Sequence, residues 1–358
     1  ANTAAGVSGA ILSLNSQTSV TMAEIPFDPQ LTDENGDDVD YAAETLLSGD
    51  VTTANLWVRM PNFKNGSRVY VTETDLPYYV PSQETGGDAP ASSFDGSTVF
   101  ADAAYYHVWH LDWNDGCVRK DSGRMGVDLR AMDMSPAVSS TFLCPPCDSP
   151  RGTWSGIRCG DSVACKEPTA FALAEPLTNV YTVSWWMRKD DVANPAGTTY
   201  LFCYTGTKSA SSGNQSAIIM SGNNLQLFGG RNTPSPSTLF TLGDGAWHHY
   251  AIVNNGGTLK LYVDGICVKT LTNNYDFMCT NASDEKKYKL AVGCAVSGNC
   301  PLNGALSEFR IETVARSESW IRACAKTQNV FADGVSHAMT PAFAPGVRVS
   351  STESSISC

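Results

Sequence analysis

The chain is written mostly in short alternating runs. Residues 51–60, Val-Thr-Thr-Ala-Asn-Leu-Trp-Val-Arg-Met, are β-branched and aromatic and stop at Pro61, whose missing N–H ends a ladder. Residues 68–73 alternate apolar and polar, and Asn65-Gly66 between the two runs is a turn signal. From residue 180 the rhythm strengthens. Tyr181 to Met187 is one strand. Ser216 to Met220 and Leu225 to Phe228 flank Ser221-Gly222-Asn223-Asn224. Trp247 to Val253 and Thr258 to Val263 flank Asn254-Asn255-Gly256-Gly257, and Asp264-Gly265 turns into Ile266 to Leu271. Such dense strands and tight turns predict an all-β chain, an antiparallel β-sandwich. Strict alternation lets only one of Trp185 and Trp186 face inward, and Trp247 is expected in the same core. One helix is predicted, from Ser317 to Ala325, with Ser317 as its cap and Glu318 in its first turn.

Residues 81–98, rich in Pro, Ser, Gly and Asp, read as a linker or long loop. The Ser/Thr-rich stretch at 349–355 has the composition of an unfolded tail. These breaks divide the chain into a β-rich N-terminal domain (1–100), a sandwich (101–328) and an extended tail (329–358). At 42% hydrophobic, the chain can build a core. Its net charge of −12 argues against nucleic acid and anionic membrane as partners. No apolar run approaches the roughly 18 residues of a membrane span. No charged segment followed by an apolar core opens the sequence, so no leader peptide is expected in it.

Cysteine sharpens the picture. All 12 lie at or after Cys117: Cys117, Cys144, Cys147, Cys159, Cys165, Cys203, Cys267, Cys279, Cys294, Cys300, Cys324 and Cys358. Such a set reads as disulfides formed outside the cytosol. Cys294 and Cys300 flank a short loop and are expected to pair, and Cys144 and Cys147 to pair with Cys159 and Cys165. The alternatives for Cys144-Pro-Pro-Cys147, a redox pair or half a zinc site, are weaker. A loop sequence follows the motif where a redox pair needs a helix, and the next spacing is loose for zinc.

Taken in order, four segments resemble laminin-G-like modules of the concanavalin A-like group: Val183-Ser-Trp-Trp-Met-Arg188, Trp247-His-His-Tyr-Ala-Ile-Val253 with Gly257 to Gly265, Asn303 to Ile311, and Ala315 to Ile321. Upstream, Leu31 to Gly36, Leu56 to Pro61 and Val108 to Leu111 resemble an uncharacterised bacterial domain that precedes such modules in exported proteins. The resemblance implies a sandwich and an extracellular or cell-surface role in binding or scaffolding, in a bacterium. It does not name a ligand.

Candidate chemistry is sparse. His248 and His249 point to opposite faces of a strand and cannot chelate together, and the same holds for His107 and His110. No run of alternating carboxylates of the glycosidase kind is present. No Gly-x-Ser-x-Gly elbow supports a serine nucleophile, so no catalytic activity is expected. Calcium is implied by the resemblance, although Ser307 stands where many relatives carry Asp; Asp112 and Asp121 are the remaining oxygen donors. Trp113, Trp154 and Tyr204, in loop-like or edge contexts, are the candidate ligand contacts. Two functions follow. One is a structural subunit of a surface assembly or filament, with the tail and the strand-like segment at residues 7–14 adding to neighbouring copies. The alternative is an adhesive module that binds glycans or proteins.

Overall fold

The computed structural model describes most of residues 99–329, except chiefly 112–117, 132–145, 160–164, 207–214, 230–236 and 274–286. It also describes strand segments within 7–72 and at 354–357. Two antiparallel sheets face one another. The first runs in the order Ile266–Asn273, Gly257–Val263, His248–Asn255, Val180–Lys189, Gly304–Glu312, Gly152–Cys159 and Pro146–Ser149, with Tyr105–Trp109 also paired to Gly304–Glu312. The second contains Ser237–Thr241, Asn224–Gly229, Gln215–Ser221, Thr198–Gly206 and Lys287–Val292, extended by shorter strands. The expected hairpins form. Asp264 and Gly265 both take positive φ, 50° and 79°, as the tight turns that match strand twist require. A Cβ on Gly265 would lie 2.8 Å from the Arg322 Cα, so glycine is what lets this turn meet the helix.

Between the sheets lies an aromatic core. Trp185 stacks on Tyr250 and Phe309 at 5.7 and 5.9 Å, and Phe309 stacks on Phe202 at 5.4 Å. Alternation holds: Trp185 and Met187 join this core, while Trp186 lies on the other face. Yet Trp186 is buried as fully as Trp185. The outer face is covered too, and Gln328, just past the helix Glu318–Thr327, accepts a hydrogen bond from the Trp186 indole at 2.8 Å. Trp247, expected in the core, is only half-buried, because it precedes the first paired residue of its strand, His248.

The helix is capped as expected, with Ser317 Oγ accepting from the Trp320 N–H at 3.2 Å. It packs with Trp57, Val99, Phe100, Tyr105 and Val108 against the outer face of the first sheet. This second core carries charge. Arg310, 1% exposed, donates from Nε to Glu308 Oε1 at 2.6 Å and sits over the rings of Trp57 and Phe100 at 5.1 and 5.2 Å. Arg316 pairs with Glu312 at 2.6 Å and lies over Tyr105 and Trp320 at 5.1 and 4.5 Å. A bulge makes room for the first pair. Ser184 aligns with Arg310 but Trp186 aligns with Ser307, and Glu308 takes a left-handed φ of 51°.

Several expectations are corrected. Ser354–Ser357 pairs antiparallel with Arg68–Thr72 of the same chain, and Val7–Ser16 pairs with Val51–Met60. Both segments thus pair within the chain along one edge, whereas the rest of the tail, residues 330–353, lies outside the described residues; nothing in these pairings supports the assembly reading. The disulfide network is not formed as expected either, since Cys267, Cys300 and Cys324 are free thiols. Cys294 is buried while Cys300 is exposed on a residue with φ of 54°, so the expected bridge between them is absent. Cys324 faces the ionic core, where burial pushes its thiol up to about 12. Cys267 lies 3.7 Å from the Lys269 carbonyl and the Thr270 hydroxyl. Cys117, Cys144, Cys279 and Cys358, and the side chain of Cys165, lie outside the described residues.

The first sheet ends at Ile266–Asn273. Ile266 is 64% exposed and Val268 41%, and the pairing register slips where Leu261 and Tyr262 face Lys269 and Cys267.

Truncating Arg310 leaves the buried Glu308 carboxylate without its guanidinium partner. Arg310→Ala should lower stability by about 3–5 kcal/mol, measured as a fall in the urea midpoint. An unchanged midpoint would show that the ionic core does not hold the outer layer.

Candidate functional site

The residues singled out in the sequence do not converge. Tyr204 is buried in the main core, so the expected edge contact is corrected. Thr198–Gly206 is an interior strand of its sheet, and this ring points between the layers. Trp113 and Asp112 lie outside the described residues, as does the side chain of Trp154 on strand Gly152–Cys159. Asp121 is not a loop acid waiting for calcium. Its carboxylate is wholly buried. One oxygen accepts from the N–H of Val108 and Gly123 at 2.8 and 2.9 Å, the other from the N–H of Val127 at 2.9 Å and from His107 Nδ1 at 2.7 Å. That carboxylate folds the 121–127 loop and has no oxygen to spare. Among the described residues no group of three or more His, Cys, Asp or Glu side chains could hold a metal.

His107 and His110 separate as alternation requires. His107 stacks on Trp109 at 4.5 Å. His110 reaches the outer layer, with Nδ1 2.7 Å from Glu308 Oε2 and Nε2 3.1 Å from Ser122 Oγ.

His248 and His249 separate likewise, with opposite electrostatics. His249 is buried, and desolvation lowers its pKa to about 3, so it is neutral. His248 lies between two carboxylates, Nδ1 2.6 Å from Asp264 and Nε2 3.0 Å from Asp244. The hydrogen bond to Asp264 is the main reason its pKa rises to about 9, with burial opposing and Asp244 adding to the rise. At neutral pH this imidazole is a cation.

His248 belongs to an open surface at one end of the sandwich. Met187 pairs with His248, which sets Arg188 beside Trp247, its guanidinium 5.6 Å from the indole centroid. Arg188 Nε donates to Asp190 at 2.7 Å. Lys189 pairs with Asp191. The loops are tied together. Asn223 donates to the Val192 carbonyl at 2.9 Å, Gly222 N–H to Gly197 at 3.0 Å, and Leu242 N–H to Asn223 at 2.9 Å. A half-buried indole thus stands beside Arg188, which Asp190 holds, and next in the chain to protonated His248 with its partners Asp244 and Asp264. Sequence reasoning assigned Trp247 to the core because a tryptophan leading an alternating strand has the pattern of a core residue; its place before the first paired residue was the available signal.

The family comparison agrees with this fold. Residues 164–322 match the family model of the concanavalin A-like lectin/glucanases superfamily. No curated protein matches the chain. The binding domain of botulinum neurotoxin serotype D aligns at 13% identity over 65% of this chain and 53% of its own, with a TM-score of 0.41. The receptor binding domain of botulinum neurotoxin D aligns at 14% identity over 63% of this chain and 53% of its own, with a TM-score of 0.41. Domain 4 of AbnA, a GH43 extracellular arabinanase from Geobacillus stearothermophilus, solved with arabinotriose, aligns at 16% identity over 62% of this chain and 97% of its own, with a TM-score of 0.37. The chain spans about half the length of the toxin domains it matches.

The His248 cation gives the fold a pH dependence. The folded protein holds this proton up to about 9, the unfolded chain only to about 6.5. The stabilisation is therefore complete below about 6.5 and is lost as pH rises through about 9. His248→Gln should flatten the fall in the urea midpoint between pH 6.5 and 9, and a histidine NMR titration should place the His248 midpoint well above 7. A midpoint near 6.5 would contradict the geometry.

Proposed function

We propose, from the match of residues 164–322 to the family model of the concanavalin A-like lectin/glucanases superfamily, that the chain is an extracellular glycan-binding module whose contact surface is the sandwich end around Trp247. The observation that carries the reading is the half-exposed indole fixed beside Arg188 at 5.6 Å. An indole face takes the C–H face of a pyranose, and fixed carboxylates and cations at its rim accept from and donate to sugar hydroxyls. The charges around it are nearly balanced. Asp190, Asp191, Asp244 and Asp264 stand against Arg188, Lys189 and protonated His248. A neutral glycan suits that surface better than a sulfated or uronic acid polymer, which four carboxylates would repel. The loop hydrogen bonds that fix the frame reduce the ordering cost of binding.

Screening on an array of neutral and acidic glycans should give a neutral ligand. Trp247→Ala should weaken its binding by about 2 kcal/mol, roughly 30-fold in Kd, as loss of a central aromatic anchor does. Equal binding by wild type and Trp247→Ala, measured by calorimetry, would move the site elsewhere on the module.

A further inference from the structure

Three residues far apart in the chain form a hydrogen-bonded line in the outer layer. Ser122 Oγ is 3.1 Å from His110 Nε2, and His110 Nδ1 is 2.7 Å from Glu308 Oε2. A carboxylate can only accept, so Nδ1 carries hydrogen in this line, and in the tautomer protonated there alone Nε2 holds the lone pair that receives the Ser122 hydroxyl proton. This is the arrangement in which an imidazole activates a serine while a carboxylate holds its tautomer and stabilises the imidazolium.

The frame around it is prepared. Arg310 donates to the other oxygen of Glu308 at 2.6 Å, and its Nη1 and Nη2 meet no hydrogen-bond acceptor among the described residues. The Asp121 carboxylate locks the loop that carries Ser122, whose own N–H donates to Val108 at 2.9 Å. His110 is packed by the Trp57 and Phe100 rings at 4.9 and 5.4 Å. Backbone strain gathers here. Of the four non-glycine residues with positive φ among the described residues, Glu308 (51°) and Leu111 (58°) belong to this cluster. Strain of that kind, about 1–3 kcal/mol per residue, persists where the surroundings over-determine a geometry.

We infer that Ser122, His110 and Glu308 form an acyl-transfer centre that hydrolyses short-chain carboxylic esters of the acetyl class. Ser122 Oγ bonds to the ester carbonyl carbon as its proton passes to His110 Nε2. The carbon–oxygen bond to the alcohol then breaks, and the departing oxygen takes that proton. Water repeats the sequence on the acetyl-serine, gives up a proton to His110 and releases acetate, restoring Ser122. Ser122 is only 5% exposed, which limits the acyl group to a small one. Ser122 and His110 are the catalytic residues; Glu308 and Arg310 are positioning residues. The centre departs from the non-catalytic expectation drawn from the sequence, where the missing nucleophile elbow argued against it, and it is independent of the Trp247 surface.

The full chain is treated with a fluorophosphonate probe and assayed with p-nitrophenyl acetate. One label per chain, mapped to the Ser122 peptide, and turnover that falls about 100- to 10,000-fold in Ser122→Ala and His110→Gln are expected. Glu308→Gln should in addition shift the acid limb of the pH–rate profile. Absence of label on the native wild-type chain, label on another residue, or turnover unchanged in Ser122→Ala would each overturn the inference. Wild-type labelling decides the matter even if a variant fails to fold.

Discussion

Arg310 sits on the outer face of a β-sheet, a position that would face water in a bare sandwich, and it is almost completely buried. Removing a guanidinium from water costs several kcal/mol unless it is paired and hydrogen-bonded. The rest of the outer layer answers that requirement. Glu308 takes the Nε hydrogen bond, Glu312 stands two residues along the strand, and the rings of Trp57 and Phe100 present their faces to the cation. Trp57 comes from Val51–Met60, far from the sandwich in sequence. Docking of that strand is therefore tied to the charge of a residue some 250 positions later, and the layer that dries Arg310 also covers Trp186.

Local features were legible in the sequence because they depend on local rules. The turn at Asp264-Gly265, the hairpin at Gly256-Gly257, the Ser317 cap and the opposite faces of His248 and His249 each follow from the chemistry of a few neighbouring residues. What escaped depends on distant partners. Nothing in the neighbourhood of Trp186 announces that Gln328 will meet its indole. Asp121 looks like a loop acid until three backbone N–H groups close around it. Composition misled over the cysteines: the count predicts bridges, but Cys300 is an exposed free thiol while Cys294 is buried.

The line from Ser122 to Glu308 shows the same limit at a candidate site. Its members stand at 110, 122 and 308, with no motif spacing. They meet because Tyr105–Trp109 pairs beside Gly304–Glu312 and a bulge turns Glu308 toward His110. The Trp247 surface is different in kind. Its residues come from strand ends and turns of one small region, and the neighbouring loops are tied by the Asn223 side chain and by main-chain hydrogen bonds.

The slipped register in the outermost strand bears on how the molecule behaves in a crowd. Ile266–Asn273 is long, rich in β-branched residues and exposed, the profile of a template on which another strand would grow. The slip opposite Leu261 and Tyr262 breaks the even spacing of its outward N–H and C=O groups, and Lys269 adds a charge at the break. A second sheet approaching this edge finds donors and acceptors out of step beyond a few residues. The irregularity costs some internal pairing and makes this edge a poorer template than a straight one.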